Sequence, residues 1–353
     1  MFSVVLPEGG GNEGRRRVGE LDEEMVYESR VGDIITLGTS SWRIHEITRD
    51  RVIVEPAPGR SARLPFWHGE GAGRPAETGR MRGAFLRAIA GGIEGNDAET
   101  DDGAFGVAVA VRERLAADGL DDDAQRNLVE LIRSQRAATG IIPDDKTLVV
   151  ERCEDEQGDW RVLLHSPYGR RVHEPWAMAV SDRIMAIYGY DAQAMAADDG
   201  IVLRIPMTET RLPGIELFAF DPDELDRIAR DRVGSTSLFS ARFRECAARA
   251  LLMSPIAPGK RAPLWQQRLK AGQLLEAARR EREFPILVET ARECLQDVYD
   301  MRALHELMEQ VQAGSVRLVE AQTSVPSPFA APLLFGYVGE HLYAGGSAAR
   351  RAA

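Results

Sequence analysis

The chain has 353 residues, 44% of them hydrophobic and 28% charged, with 44 Lys and Arg against 55 Asp and Glu for a net charge of -11. That composition excludes a chain dominated by disorder, and at this length two or three compact units are expected rather than one core. No apolar run approaches the roughly 18 residues of a membrane span, and the start Met1-Phe2-Ser3-Val4-Val5-Leu6-Pro7 lacks the basic flank of a signal peptide, so a cytoplasmic chain with no membrane partner is expected. Cys153, Cys246 and Cys294 stand too far apart for a metal knuckle or a disulfide framework and fit a reducing compartment.

In chain order, residues 2 to 6 and 17 to 55 read as β-rich. Gly32 to Gly38, Trp42 to Ile47 and Val52 to Glu55 form three β-branched segments separated by turn residues, which predicts a meander closed by Pro56-Ala57-Pro58-Gly59. Residues 60 to 80 form an irregular connection. Helices are predicted over Met81 to Ala90, Ala104 to Ala117 and Asp123 to Ala138, then strands over Leu148 to Glu151 and Trp160 to His165. Pro175 suits the first turn of a helix running to Tyr188. Strands over Ile201 to Ile205 and Glu216 to Phe220 follow. The remainder reads as helices at 222–232, 236–252, 263–282, 285–299 and 301–312, a strand over Val316 to Glu320 and a last helix over Phe329 to Tyr343. The fold class is α+β, a β-rich N-terminal module followed by a mixed α/β domain with a helical C-terminal half. The boundaries read as 1–60, a connector with helices at 61–146, a domain at 147–345 and a tail at 346–353.

Several motifs are formally present without their context. Gly9, Gly11 and Gly14 match a dinucleotide-binding spacing, but Arg15-Arg16-Arg17 follows where a helix should open. Gly259-Lys260 precedes Arg261 and lacks the upstream glycine, so no phosphate loop occurs. His45-Glu46 and His305-Glu306 lack the second histidine of a zinc helix. Cys246 and Cys294 fall at core-like helix positions. The chain itself is expected to hold no cofactor and no metal, and to offer no catalytic residue.

Three constellations point to nucleic acid. The segment His165-Ser166-Pro167-Tyr168-Gly169-Arg170-Arg171-Val172-His173-Glu174-Pro175-Trp176 gathers rings and guanidinium groups, which suit unstacked bases and phosphates. Tyr168 and Trp176 could equally be core anchors, with Arg170 and Arg171 solvated. Residues 241–284 hold ten basic residues and four acids; Arg242, Arg244, Arg249, Trp265 and Arg268 are the candidate contacts, and a solvated helix face is the alternative. Trp42 alternates with Ile44 on one strand face and Arg43 with His45 on the other. Core packing is one reading of Trp42; stacking on a base, with Arg43 or Arg30 on the phosphate, is the other.

The strings Arg17 to Arg30, Trp42-Arg43-Ile44, Pro56 to Gly59, Leu64-Pro65-Phe66-Trp67, His165 to Trp176, Phe243 to Arg249 and Ser327-Pro328-Phe329-Ala330 resemble the bacterial large helicase-related (Lhr) proteins from about residue 2 to 343. The resemblance implies the end of a winged-helix region followed by a DEAD/H-associated domain, with the two motor domains, and the ATP and Mg2+ they use, outside this chain. It implies a fragment, left by a truncated, frame-shifted or split gene. The tail departs from the family after Tyr343, and Pro332 interrupts the expected helix start. Such proteins are single-strand-dependent ATPases that move 3′ to 5′ and unwind RNA:DNA hybrids in DNA repair. Single-stranded DNA or a hybrid is the implied partner, gripped by this accessory portion, and Trp42 is the best match, ahead of Trp67, for a family tryptophan that couples DNA to the motor. The alternative is an interaction module that docks on separately encoded motor domains. An independent glycosylase or nuclease is the weakest reading, since no acid, base or metal cluster supports one.

Overall fold

The computed structural model describes residues 2–7, 17–21, 25–26, 29, 31–37, 40–48, 50–58, 73–94, 107–155, 158–190, 192, 194–206, 213–253, 264–281 and 284–337. Gly9, Gly11, Gly14, Arg30, Trp67, Lys260, Arg261 and the tail after Tyr337 lie outside them, as do the side chains of Leu264 and Trp265. The chain divides into two compact units. One combines Met1–Gly71 with Phe243–Leu287 and the other Ala72–Arg242 with Val288–Ala353. A reading in chain order does not reveal that the segment 243–287 belongs with the N-terminal residues, because local pattern carries no information about which distant segment it packs with.

The first unit holds a five-stranded sheet of β1 (Phe2–Val5), β2 (Arg17–Leu21), β3 (Ile34–Leu37), β4 (Ser40–Ile47) and β5 (Arg51–Pro56) in the order β2-β1-β5-β4-β3. The expected meander is β3-β4-β5, antiparallel throughout, and β1 adds to it parallel to β5. Val4, Leu21, Ile35, Ile44, Val52 and Val54 form its core. The register shifts between Ile44 and Glu46, so a bulge at His45 turns both His45 and Glu46 to solvent.

The second unit begins with α1 (Ala76–Glu94), α2 (Val109–Ala117) and α3 (Asp122–Thr139), packed around Ile89, Val111, Leu115 and Ile132. Helix α3 starts where the Asp121 carboxylate accepts from the Ala124 N–H at 2.8 Å and stops at Gly140 with φ 74°. Helix α1 is longer than its sequence pattern predicts. Its glycines lower helix propensity, but a Cβ at Gly79 would overlap the Pro167 carbonyl and one at Gly83 would press on Asp145, so close backbone approach requires them.

A second sheet follows, formed by β6 (Thr147–Glu154), β7 (Trp160–His165), β8 (Met195–Ala197), β9 (Gly200–Ile205) and β10 (Arg317–Gln322) in the order β10-β6-β7-β9-β8. β10 runs parallel to β6 and the remaining pairs are antiparallel. Helices α4 (Arg170–Tyr188), α5 (Pro222–Val233) and, later in the chain, the helix Met301–Gln312 cover one face through Leu148, Val150, Val162, Leu164, Ile201 and Leu203. Helical residues 330–337 cover the other, placing Leu333 and Tyr337 on Cys153, Leu163 and Val202. With both faces buried, the strands read as near-continuous apolar runs. Between them and the end come α6 (Ser237–Arg249), α7 (Leu264–Ala278), α8 (Pro285–Arg292), a π-helical turn over Glu293–Val298, and α9 (Met301–Gln312).

Two local expectations are corrected, and one strand was not expected at all. Glu216 to Phe220 is not a strand: after Pro213 and Gly214 the chain makes a 3-10 turn over Ile215–Leu217, whose Ile215 N–H is held by Glu320 at 3.0 Å. β8 is three residues of Met and Ala with no readable pattern, formed by its hairpin to β9. Pro175 lies in the second turn of α4. Its missing N–H would orphan the Arg171 carbonyl, and the Asp300 N–H supplies the replacement donor at 3.0 Å.

Candidate nucleic-acid interface

In the second unit, the turn from β7 into α4 is built from inside. His165 Nε2 donates to the Glu151 carboxylate at 2.7 Å, and both residues are buried. Thr323 Oγ1 and the Ser327 N–H and Oγ complete the shell around Glu151 at 2.9, 2.8 and 2.5 Å. Burial alone would raise the Glu151 carboxyl, but the His165 hydrogen bond and charge and the Ser327 donors together hold it below its ordinary value. The Tyr168 hydroxyl donates to the Asp145 carbonyl at 3.0 Å, and burial pushes it up to about 12.

His173 is fully buried. Its Nδ1 faces the Ala197 carbonyl at 2.6 Å, which can only accept, so Nδ1 carries the proton and Nε2 accepts from Ser166 Oγ at 2.7 Å. Burial lowers this imidazole to about 4, so it is neutral at physiological pH. Trp176 is fully buried, with Nε1 donating to the Phe218 carbonyl at 3.0 Å and its ring meeting Phe218 edge-on. His165, Tyr168, His173 and Trp176, selected as contacts for bases, are thus interior anchors whose polar atoms are satisfied within the fold. A turn dense in rings and guanidinium groups reads the same in sequence whether those rings face solvent or core.

The two arginines of the turn diverge. Arg171 donates to the carbonyls of Val298 at 3.0 Å and Asp297 at 2.8 Å, closing the end of the π-helical turn as a cap. Arg170 is exposed, and its Nε meets Glu174 at 2.6 Å. The Gly169 N-cap of α4 has no side chain, and Asp198 serves from 28 residues away, accepting from the Arg170 N–H at 3.0 Å and the Arg74 N–H at 2.7 Å. Asp199 takes the Arg74 and Arg82 guanidinium groups. Burial pushes the Asp199 carboxyl up, and these two cations bring it below its usual range. Sequence reasoning missed Asp198, Asp199 and Arg74; nothing short of the β8-β9 hairpin brings them together.

In the first unit, Trp42 is half-buried against the sheet core, and its Nε1 is buried without a hydrogen-bond partner among the described residues. Arg43 points to the opposite face and reaches Glu55, its cross-strand partner, at 3.5 Å. Both are substantially exposed, and an ion pair of that kind is worth about 0 to 1 kcal/mol, so a phosphate can displace the glutamate at small cost. On α6, whose first residues up to Arg242 count with the second unit, Arg242 is half-buried; in the first unit Arg244 is half-buried and Arg249 exposed, while Phe243 and Cys246 supply the buried stripe, as their spacing predicts. Arg268 is exposed on α7. Among the described residues no cluster of ligating side chains could hold a metal ion, and no helix is long and apolar enough to cross a membrane.

The winged-helix-type sheet and the two-faced sheet with its helices correspond to known families. The large helicase-related protein winged helix domain matches residues 1–64, and the DEAD/H associated family matches residues 142–330, more than half of the chain. The chain belongs to the DEAD/H associated family and carries the winged-helix and DEAD/H-associated regions of the Lhr helicases. It is 58% identical over 343 residues to the Lhr helicase/uracil glycosylase of Escherichia coli, covering 97% of this chain and 21% of that protein. It is 54% identical to the Lhr helicase/probable uracil glycosylase of Mycolicibacterium smegmatis, with 100% of this chain and 22% of that protein covered. The chain therefore spans about a fifth of the length of these curated relatives. The structure of Mycobacterium smegmatis helicase Lhr bound to ssDNA and AMP-PNP matches with a TM-score of 0.68 and 46% identity, over 92% of this chain and 36% of that one.

Proposed function

We propose that this chain is the DNA-binding accessory portion of an Lhr-type ATP-dependent helicase. It grips the single strand along which the whole enzyme moves 3′ to 5′, on DNA or an RNA:DNA hybrid. The observation that carries this reading is the match of 92% of the chain, at 46% identity, to a helicase Lhr whose structure contains single-stranded DNA. The exposed or half-exposed basic side chains Arg43, Arg244, Arg249 and Arg268 of the first unit supply the phosphate contacts, and Arg170 is the candidate on the second. ATP and Mg2+ belong to the motor portion. The present sequence has no phosphate loop, which supports placing nucleotide hydrolysis there. Cys153, Cys246 and Cys294 are buried and joined by no disulfide, as suits work in the cytoplasm.

Titration of the isolated chain with labelled single-stranded DNA over a range of salt tests the reading. Salt-sensitive binding, with a log-log slope of about -0.7 for each phosphate neutralised, supports it. Affinity that appears only once motor domains are added replaces it with an interaction module, and cleavage or base release by the chain alone replaces it with an enzyme.

A further inference from the structure

The chain from Val288 to Tyr299 carries two helical stripes one residue apart, and the fold buries the more polar of them. The sequence reads 285–299 as a single helix. In the structure it is α-helical to Arg292 and π-helical over Glu293–Val298, with the Tyr299 N–H bonded to the carbonyl of Cys294, five residues back, at 2.9 Å. The extra residue in that turn decides which side chains face inward. Counting back from the buried Tyr299, the π-helical turn selects Cys294 and then Thr290, and neither has any exposed surface. An α-helical turn selects Leu295, Ala291 and Val288 instead. Leu295 and Ala291 are half-buried and Val288 is 59% exposed among the described residues. A threonine and a cysteine thus sit inside where a leucine, an alanine and a valine form the alternative.

π-Helical turns are rare, so specific contacts must favour this one over the α-helix that its residues suit. Arg292 lies 3.3 Å from Asp297, five residues on, a spacing that does not bring side chains together in an α-helix. That pair exists only with the extra residue inside the turn. Arg171, from the first turn of α4, donates to the carbonyls of Asp297 at 2.8 Å and Val298 at 3.0 Å, and its own carbonyl takes the Asp300 N–H at 3.0 Å. The guanidinium and the backbone of one residue therefore fix where the π-helical turn ends.

We propose that residues 288–299 are a two-register switch locked by Arg171. In the π register Thr290 and Cys294 are inside; in the α register, reached by turning residues 288–294 about 100° round the helix axis, Val288, Ala291 and Leu295 replace them. The device belongs to the second unit and does not depend on the proposed function. Pulse labelling of the full chain with N-ethylmaleimide, read at each cysteine by peptide mass spectrometry, tests it. Cys153 and Cys294 are both buried in the second unit, so Cys153 reports loss of that fold and Cys294 reports the register. Arg171→Met is expected to speed labelling of Cys294 about tenfold with Cys153 unchanged, since labelling follows the population of the turned register. Should Arg171→Met fold poorly, Asp297→Asn, an exposed change that breaks the pair with Arg292, is expected to give a rise of about threefold. Val288→Gln distinguishes turning from melting. A glutamine in the alternative stripe disfavours the α register, so adding it to either variant should return Cys294 to the wild-type rate, whereas local melting is indifferent to it. Cys294 rising only together with Cys153, or staying fast with Val288→Gln present, overturns the switch. Wild-type labelling in both Arg171→Met and Asp297→Asn overturns it as well.

Discussion

The carboxylate of Glu151 on β6 and the imidazole of His165 on β7 meet at 2.7 Å with no exposed surface on the former. They lie on the sheet face covered by helical residues 330–337, and through Thr323 and Ser327 the pair ties the end of β10 and the following turn to the sheet. Every acceptor site of the carboxylate meets a donor. Replacing Glu151 by Gln puts an amide NH2 among these donors, and a buried network broken in this way loses about 2 to 4 kcal/mol. Urea denaturation of Glu151→Gln should show it; a midpoint equal to wild type would remove the network from the account of stability.

Acid sensitivity should carry the signature of His173. Its imidazole sits at about 4 in the folded chain against an ordinary 6.5. Between those values the unfolded chain binds a proton that the folded chain excludes, so stability is full above about 6.5, falls as pH falls, and levels off below about 4. From pH 7 to pH 5 the group alone removes about 2 kcal/mol. His173→Gln is less stable throughout but should lose this portion of the slope. An unchanged slope between pH 7 and 5 would contradict the neutral, proton-donating Nδ1 described above.

Two glycines of α1 should respond in opposite directions to alanine. Among the described residues nothing beyond its own helix lies within 4 Å of the Gly91 Cβ position, and Gly91→Ala should stabilise by up to about 1 kcal/mol through helix propensity. At Gly79 a Cβ meets the Pro167 carbonyl, and Gly79→Ala should destabilise by more than about 2 kcal/mol despite the same propensity gain. Thermal melts of the two variants, compared side by side, decide whether the close approach of α1 to the β7-α4 turn is real.

Trp42 separates shape from polarity. Its ring packs against the core while its Nε1 is buried without a partner among the described residues, so Trp42→Phe discards a desolvated donor and should change stability by less than about 1 kcal/mol. Trp42→Ala should cost about 3 kcal/mol. In DNA titration Trp42→Phe keeps a stacking face; if it binds like wild type while Arg43→Gln binds more weakly, the strand contacts the arginine face of β4 and not the tryptophan.

Much of the local structure was legible. The β3-β4-β5 meander follows from alternation and turn residues, and the helices expected over Asp123 to Ala138 and over 222–232 are α3 and α5 to within a residue, although their Asp121 and Asp221 caps emerged only in the structure. The burial of Cys246 and Cys294 was legible too, and so was the α+β class. The family was legible because long strings of residues carry it.

What the sequence could not determine was direction. Alternation states that Trp42 and Ile44 share a face, and composition states that rings and arginines crowd the turn at His165 to Trp176, but neither tells whether a ring meets a base or a phenylalanine. Burial of the second sheet on both faces turned His165, Tyr168, His173 and Trp176 inward. Pro175 became tolerable only because Asp300, 125 residues later, donates to the carbonyl that the proline leaves open. The return of residues 243–287 to the first unit brought the basic stretch into the same unit as Trp42 and Arg43. Local residue types set the secondary structure because backbone propensity and capping act over a few residues. Which side chains remain for a partner was decided by contacts between segments far apart in the chain, and those exist only in the folded protein.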